Sequence, residues 1–81
     1  MTKQIKIEEL IPKMKPGYVA CDKDGTWHFW TTLPYLEIYL KYWQFDMDYI
    51  TEESEAENLS VIFNIIPAED WTKSLIKVGG K

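Results

Sequence analysis

The spacing of apolar positions changes period several times along the chain. Near the start, Ile7, Leu10, Ile11 and Met14 recur at i, i+3, i+4 and i+7, the stripe of one helical face. Pro12 falls inside that stripe, and a proline deep in a helix costs about 3 kcal/mol. The spacing therefore predicts a short helix beginning near Ile7 or Glu8 and ended by Lys15-Pro16-Gly17. From Tyr18 the period drops to two. Tyr18, Ala20 and Asp22 alternate with Val19 and Cys21, and beyond Asp22-Lys23-Asp24-Gly25 the residues Trp27, Phe29 and Thr31 alternate with Thr26, His28, Trp30 and Thr32. Aspartate closes a turn through its side chain and glycine accepts a positive φ, so the segment predicts two strands around a loop of about three to five residues.

Leu33-Pro34 breaks the second strand, and Tyr35 to Phe45 follows with two competing periods. Leu36, Ile38, Leu40 and Tyr42 alternate as in a strand, whereas Leu36, Leu40 and Trp43, or Tyr35, Ile38, Tyr39 and Tyr42, fit a helix equally well. Aromatic and β-branched content favours the strand, because rings pack well on a pleated surface. Residues 46–58 are acidic and polar, the expected solvated loop and the expected most mobile part of the chain. Leu59 to Ile66 is a short apolar run stopped by Pro67, which predicts a buried strand. Residues 67–80 carry proline and acids early, Trp71, Leu75 and Val78 roughly aligned, lysines late and glycines last, the signature of a closing helix. The assembled expectation is one α+β domain over residues 1–81. It comprises a short N-terminal helix, a three-stranded antiparallel meander, a fourth strand after the acidic loop, and a C-terminal helix on one sheet face. The other face is left to solvent or to a partner.

Composition sharpens this. The 81 residues are 46% hydrophobic and 15% aromatic, too rich for a disordered chain and within the reach of one core. Two faces of one strand cannot both meet one small core, so at least one of Trp27 and Trp30 should be the more exposed, and surplus rings at a surface signal an interface. The net charge of −4 is local: residues 1–18 carry +2, 19–45 carry −1, 46–57 carry −6 and 58–81 carry +1. Direct binding of nucleic acid needs a clustered basic face and is not expected. A single cysteine, Cys21, forms no internal disulfide, and no apolar run reaches the ~20 residues of a membrane span, so a cytoplasmic protein without membrane partners is expected.

Candidate chemistry is sparse. An EF-hand loop counted from Asp22 places Trp27 where glycine belongs and Leu33 where glutamate belongs, which removes calcium. His28 has no second histidine or cysteine at metal-ligand spacing. Cys21 and His28 fall out of simple register across the turn and lack an orienting third group. Glu69 and Asp70 are accounted for by a helix dipole, and no phosphate loop, serine elbow or HExxH occurs. No enzyme activity and no cofactor is expected. Protein binding is the remaining reading, through Trp27, Trp30, Tyr39 and Trp43 with Asp46, Asp48, Glu52 and Glu53 at the rim. Tyr35 and Tyr42 belong to the same aromatic constellation. A homodimer through an open sheet edge would use the same rings. The alternative is an acidic inhibitor that mimics nucleic acid and blocks a basic groove of a host protein. Single-strand stacking lacks its basic groove.

The pattern Gly17-Tyr18-Val19-Ala20-Cys21-Asp22-Lys23-Asp24-Gly25, an aromatic strand, Leu33-Pro34, and a later Asp70-Trp71 with Ser74-Leu75 resembles small uncharacterised bacteriophage and prophage proteins. The resemblance spans roughly residues 17–78. It implies a mobile-element origin and an accessory role, and carries over no catalytic residue. The acidic run at 46–57 and the first helix depart from the pattern.

Overall fold

The computed structural model describes residues 3–79, and Gly80 of the expected closing helix lies outside them. A single helical turn, α1 (Ile7–Leu10), runs into a 3-10 turn at Ile11–Lys13 that takes Pro12 in its first positions. The short N-terminal helix predicted from the apolar stripe is therefore present. Six strands follow among the described residues: β1 (Gly17–Cys21), β2 (Trp27–Trp30), β3 (Pro34–Glu37), β4 (Tyr42–Phe45), β5 (Ala56–Asn58) and β6 (Ile76–Val78). All pairings between them are antiparallel, and α+β describes the fold in its coarse sense.

β1 and β2 form the expected hairpin, with Cys21 opposite Trp27 and Tyr18 opposite Trp30. Gly25 N donates to Asp22 O and Asp22 N to Thr26 O, with Gly25 at φ +91°. That is a type I turn finished by a left-handed glycine, which suits a three-residue loop. The hairpin becomes the centre of a four-stranded sheet ordered β5-β2-β1-β6. Both outer strands come from segments expected to be something else. β5 is the end of the acidic loop, and β6 lies within the expected C-terminal helix, of which only a 3-10 turn at Trp71–Lys73 forms. Ile76 and Val78 are β-branched and two apart, so the same residues satisfy a strand along the free side of β1. The expected strand at 59–66 is likewise absent. Asn58 caps a 3-10 turn at Leu59–Val61 by accepting from Ser60 N, and only Ile65 returns to a bridge, with Ile5. Residues 35–45 are not one strand but β3 and β4, a second two-stranded hairpin outside the main sheet.

The sheet is buried on both faces, contrary to the expectation of one open face. Val19, Cys21, Trp27 and Phe29 meet Ile7, Leu59, Ile65 and Val78 on one side. On the other, Ala20 and Trp30 meet Trp43, with Leu36, Phe45, Trp71 and Leu75 packed around them. Trp27 and Trp30 are consequently only 3% and 5% exposed, and the expected contrast between them disappears because each has its own core. Gly17 is forced by packing: a Cβ there would lie 2.4 Å from Phe29 Cζ and 2.6 Å from the Trp30 carbonyl oxygen.

Because β5 and β6 are three residues each, they run out before β2 and β1 do. Two serines complete the ladder. The Ser74 hydroxyl accepts from Cys21 N (2.8 Å) and shares its proton between Cys21 O (3.1 Å) and Trp71 O (2.7 Å). Ser60 Oγ accepts from Trp27 N at 2.9 Å. A buried backbone group without a partner costs about 1–3 kcal/mol. Ser74→Ala, which strands two such groups, is expected to lose about 2–4 kcal/mol in urea unfolding, and Ser60→Ala about half as much. Equal and negligible losses would show that water replaces both hydroxyls.

Candidate functional site

The stretch Asp22 to Trp30 carries the suggestive residues, and the structure gives each a structural position. Asp24 Oδ1 accepts from Thr26 N at 2.9 Å and holds the turn. Asp22 reaches sideways: Oδ1 accepts from Trp43 N at 2.8 Å, and Lys23 N donates to Lys41 O at 3.2 Å. These bonds dock the β3–β4 hairpin against the end of the central one. His28 Nδ1 lies 3.5 Å from Asp22 Oδ2. His28 sits opposite Ala20 whereas Cys21 sits opposite Trp27, so thiol and imidazole occupy opposite faces of the sheet. Cys21 is fully buried, and that burial pushes its thiol pKa up, away from a reactive thiolate. Among the described residues, no group of three histidine, cysteine or acidic side chains could hold a metal ion, and no helix is long and apolar enough to cross a membrane.

The sequence-predicted binding residues separate into two classes. Trp27, Trp30 and Trp43 are core residues and offer no contact surface. Two of them spend their polar edge internally, Trp27 Nε1 donating to Ile66 O (3.0 Å) and Trp43 Nε1 to Trp71 O (3.1 Å). Trp30 packs edge-on against Phe45, with ring centroids 5.0 Å apart. Tyr39, by contrast, is 88% exposed. Asp46 is half-buried and accepts from Asp48 N, while Asp48, Glu52 and Glu53 are exposed. Tyr39 and the acids are not brought together. Tyr39 lies in the turn between β3 and β4, and Asp46 follows the opposite end of β4.

What the structure does assemble is the outer face of the β3–β4 hairpin. Leu36 pairs with Trp43 and Pro34 with Phe45 toward the core, so Tyr35, Gln44, Glu37 and Tyr42 pair outward. Tyr35 donates to Glu37 Oε2 and accepts from Gln44 Nε2, each at 2.7 Å, which fixes the phenol upright. The bond to Glu37 also raises the Tyr35 pKa, keeping that proton in place. Beyond these, Ile38 and Leu40 are more than half exposed at the tip. Ile38 and Leu40 were not singled out as site residues, because the tip contains no glycine, proline, asparagine or aspartate to mark it. Lys41 takes the positive φ of +66° that such a residue would usually supply, and its N–H closes on Glu37 O.

No protein-family model, curated protein or solved structure matches the chain. The site therefore rests on its own geometry.

Asp22 carries a pH signature. Burial raises its pKa above the ordinary carboxylate value, opposed by the Trp43 N–H, whereas hydrogen bonds from Thr26 and Thr72 lower Asp24 and Asp70. A raised carboxyl binds its proton more tightly folded than unfolded. Its contribution is present at low pH and lost as pH rises through the folded pKa. The two lowered carboxyls contribute above their ordinary pKa and lose that contribution as pH falls. Asp22→Asn keeps an acceptor for Trp43 N and removes only the opposing carboxylate. Its unfolding free energy is therefore expected to climb more steeply than wild type between about pH 3.5 and pH 6. A parallel profile in urea titrations would show an unshifted carboxyl, and a shallower one that the Trp43 N–H and His28 outweigh burial.

Proposed function

We propose that this protein is a non-enzymatic binding module whose contact surface for another protein is the outer face and tip of the β3–β4 hairpin. The observation that carries the reading is the concentration of Tyr35, Ile38, Tyr39, Leu40 and Tyr42, all exposed, on one short hairpin. Leaving such side chains in water adds nothing to folding, while a rigid aromatic surface loses little entropy on binding. Rigidity here comes from the Asp22–Trp43, Lys23–Lys41 and Trp43–Trp71 hydrogen bonds. Tyrosines anchored by polar neighbours are also the side chains that interfaces favour.

The buried, raised thiol of Cys21 and its separation from His28 support the absence of catalysis as part of the same proposal. The likeness to phage and prophage proteins adds that the partner belongs to a bacterial host or to a mobile element within it. An acidic inhibitor that occupies a nucleic-acid groove is the weaker reading. Exposed Met47, Tyr49 and Ile50 interrupt its acids, and a phosphate backbone has no counterpart to them.

Tyr39→Ala combined with Leu40→Ser is expected to leave stability within about 0.5 kcal/mol of wild type, as for exposed positions generally. The same pair is expected to abolish retention of a partner captured from host lysate by the wild-type protein, with little sensitivity to salt. A partner retained equally by both proteins, or released from wild type by moderate salt alone, would move the contact away from the hairpin.

A further inference from the structure

A second surface, remote in character from the hairpin, points to self-association. Between the N-terminal helical segment and the turn after β5 lies a groove of about 320 Å³, walled by Leu10, Met14, Phe29, Leu59 and Phe63. Lys13, Lys15 and the exposed Glu57 stand on its rim, two cations against one anion, and Lys15 Nζ lies 5.6 Å from the centre of the Phe29 ring. The volume falls at the lower end of the ~300–1,000 Å³ typical of ligand sites, room for one or two side chains. Val61 and Ile62, which precede Phe63 in the chain, are 79% and 61% exposed. Its occupant should therefore present apolar side chains among acids.

The chain contains such a segment. Asp46 to Glu53 has no basic residue and exposes Met47 (81%), Tyr49 (53%) and Ile50 (40%) between its acids. It is not a loose loop. Tyr49 N and Ile50 N both donate to Asp46 O, and Thr51 and Ser54 close a second turn through their backbones and hydroxyls. Order before binding reduces the entropy lost on docking. Among the described residues, neither the two lysines nor these acids form an ion pair within the chain. Both halves of the match are thus available to another molecule.

We propose that the Asp46–Glu53 segment of one copy docks into the Lys13/Lys15 groove of a second, with the reciprocal contact made at the same time. Each copy carries both surfaces, so a twofold arrangement uses the contact twice and closes. Tyr49 and Met47 fill the groove while Asp48 and Glu52 face the lysines. The net charge of −4 on each copy opposes approach at long range, but the facing charges act at contact. Association should therefore persist at about 100 mM salt, where screening reaches ~10 Å, and weaken at about 1 M, where it reaches ~3 Å.

Sedimentation equilibrium across protein concentrations up to about 1 mM, at those two salt levels, reads the dimer directly. Lys13→Glu with Lys15→Glu is expected to weaken it by roughly tenfold or more, as is Asp48→Lys with Glu52→Lys. Mixing the two variants should restore a heterodimer, because each acidic segment then meets a basic groove and each basic segment an acidic one. Tyr39→Ala should leave the dimer intact, which separates this contact from the hairpin surface. A wild-type monomer at every concentration would overturn the proposal. So would a dimer indifferent to both charge reversals, or a mixture that fails to reassociate although both variants keep the wild-type circular dichroism.

Discussion

Burial of the β1–β2 hairpin on both of its faces is the constraint from which the other features follow. Five residues of β1 and four of β2 alternate, so Val19, Cys21, Trp27 and Phe29 point one way and Ala20 and Trp30 the other. Each large ring hidden from water removes roughly 150–250 Å², a gross gain of about 4–6 kcal/mol at about 25 cal/mol per Å². Covering both faces requires material on both sides. The N-terminal helical segment and residues 59–66 supply one cover, and the second hairpin with Trp71 and Leu75 supplies the other.

Two short cores leave little chain for long strands, and the economies are visible in the hydrogen bonding. β5 and β6 are only three residues each, and serine hydroxyls take over where their backbones end. The second hairpin is joined to the main sheet not by a ladder but by a carboxylate, Asp22, accepting from a backbone N–H across the gap, and by one backbone bond from Lys23 N to Lys41 O. This makes the turn of the first hairpin the mount of the second. A residue that reads as turn chemistry, or as half of a metal loop, acts instead as a tertiary fastener. The hairpin it holds then carries the most exposed aromatic side chain among the described residues, Tyr39.

Charge follows a separate logic from the cores. Lysines gather at the N-terminal segment and acids at 46–57, and the two groups do not pair within the molecule among the described residues. The apolar residues set among those acids are not drawn into either core. Stability of the monomer explains neither fact. Association through the hairpin and through the groove would use different residues, so the two surfaces could act independently.

The sequence by itself determined what depends on neighbours within a few positions. The Asp22–Gly25 turn, the alternation through β1 and β2 and the short helix limited by Pro12 were all legible, because turn chemistry, pleat and proline geometry are local. Tertiary structure decided the segments whose local preferences were divided. Ile76-Lys77-Val78 carries both helical stop signals and a β-branched alternation, and the unpaired side of β1 selected the strand. Leu59 to Ile66 was apolar enough for a strand, but Ala56–Asn58 had already taken the edge of β2. Tyr35 to Phe45 fitted two periods because a turn without turn residues divides it, and the bonds to Asp22, Lys23 and Trp71, with the Trp30 face, fix where it folds back. The exposed surface was the least legible of all: Trp27, Trp30, Tyr39 and Trp43 are equally aromatic, and whether a ring meets water depends on what the distant chain places over it.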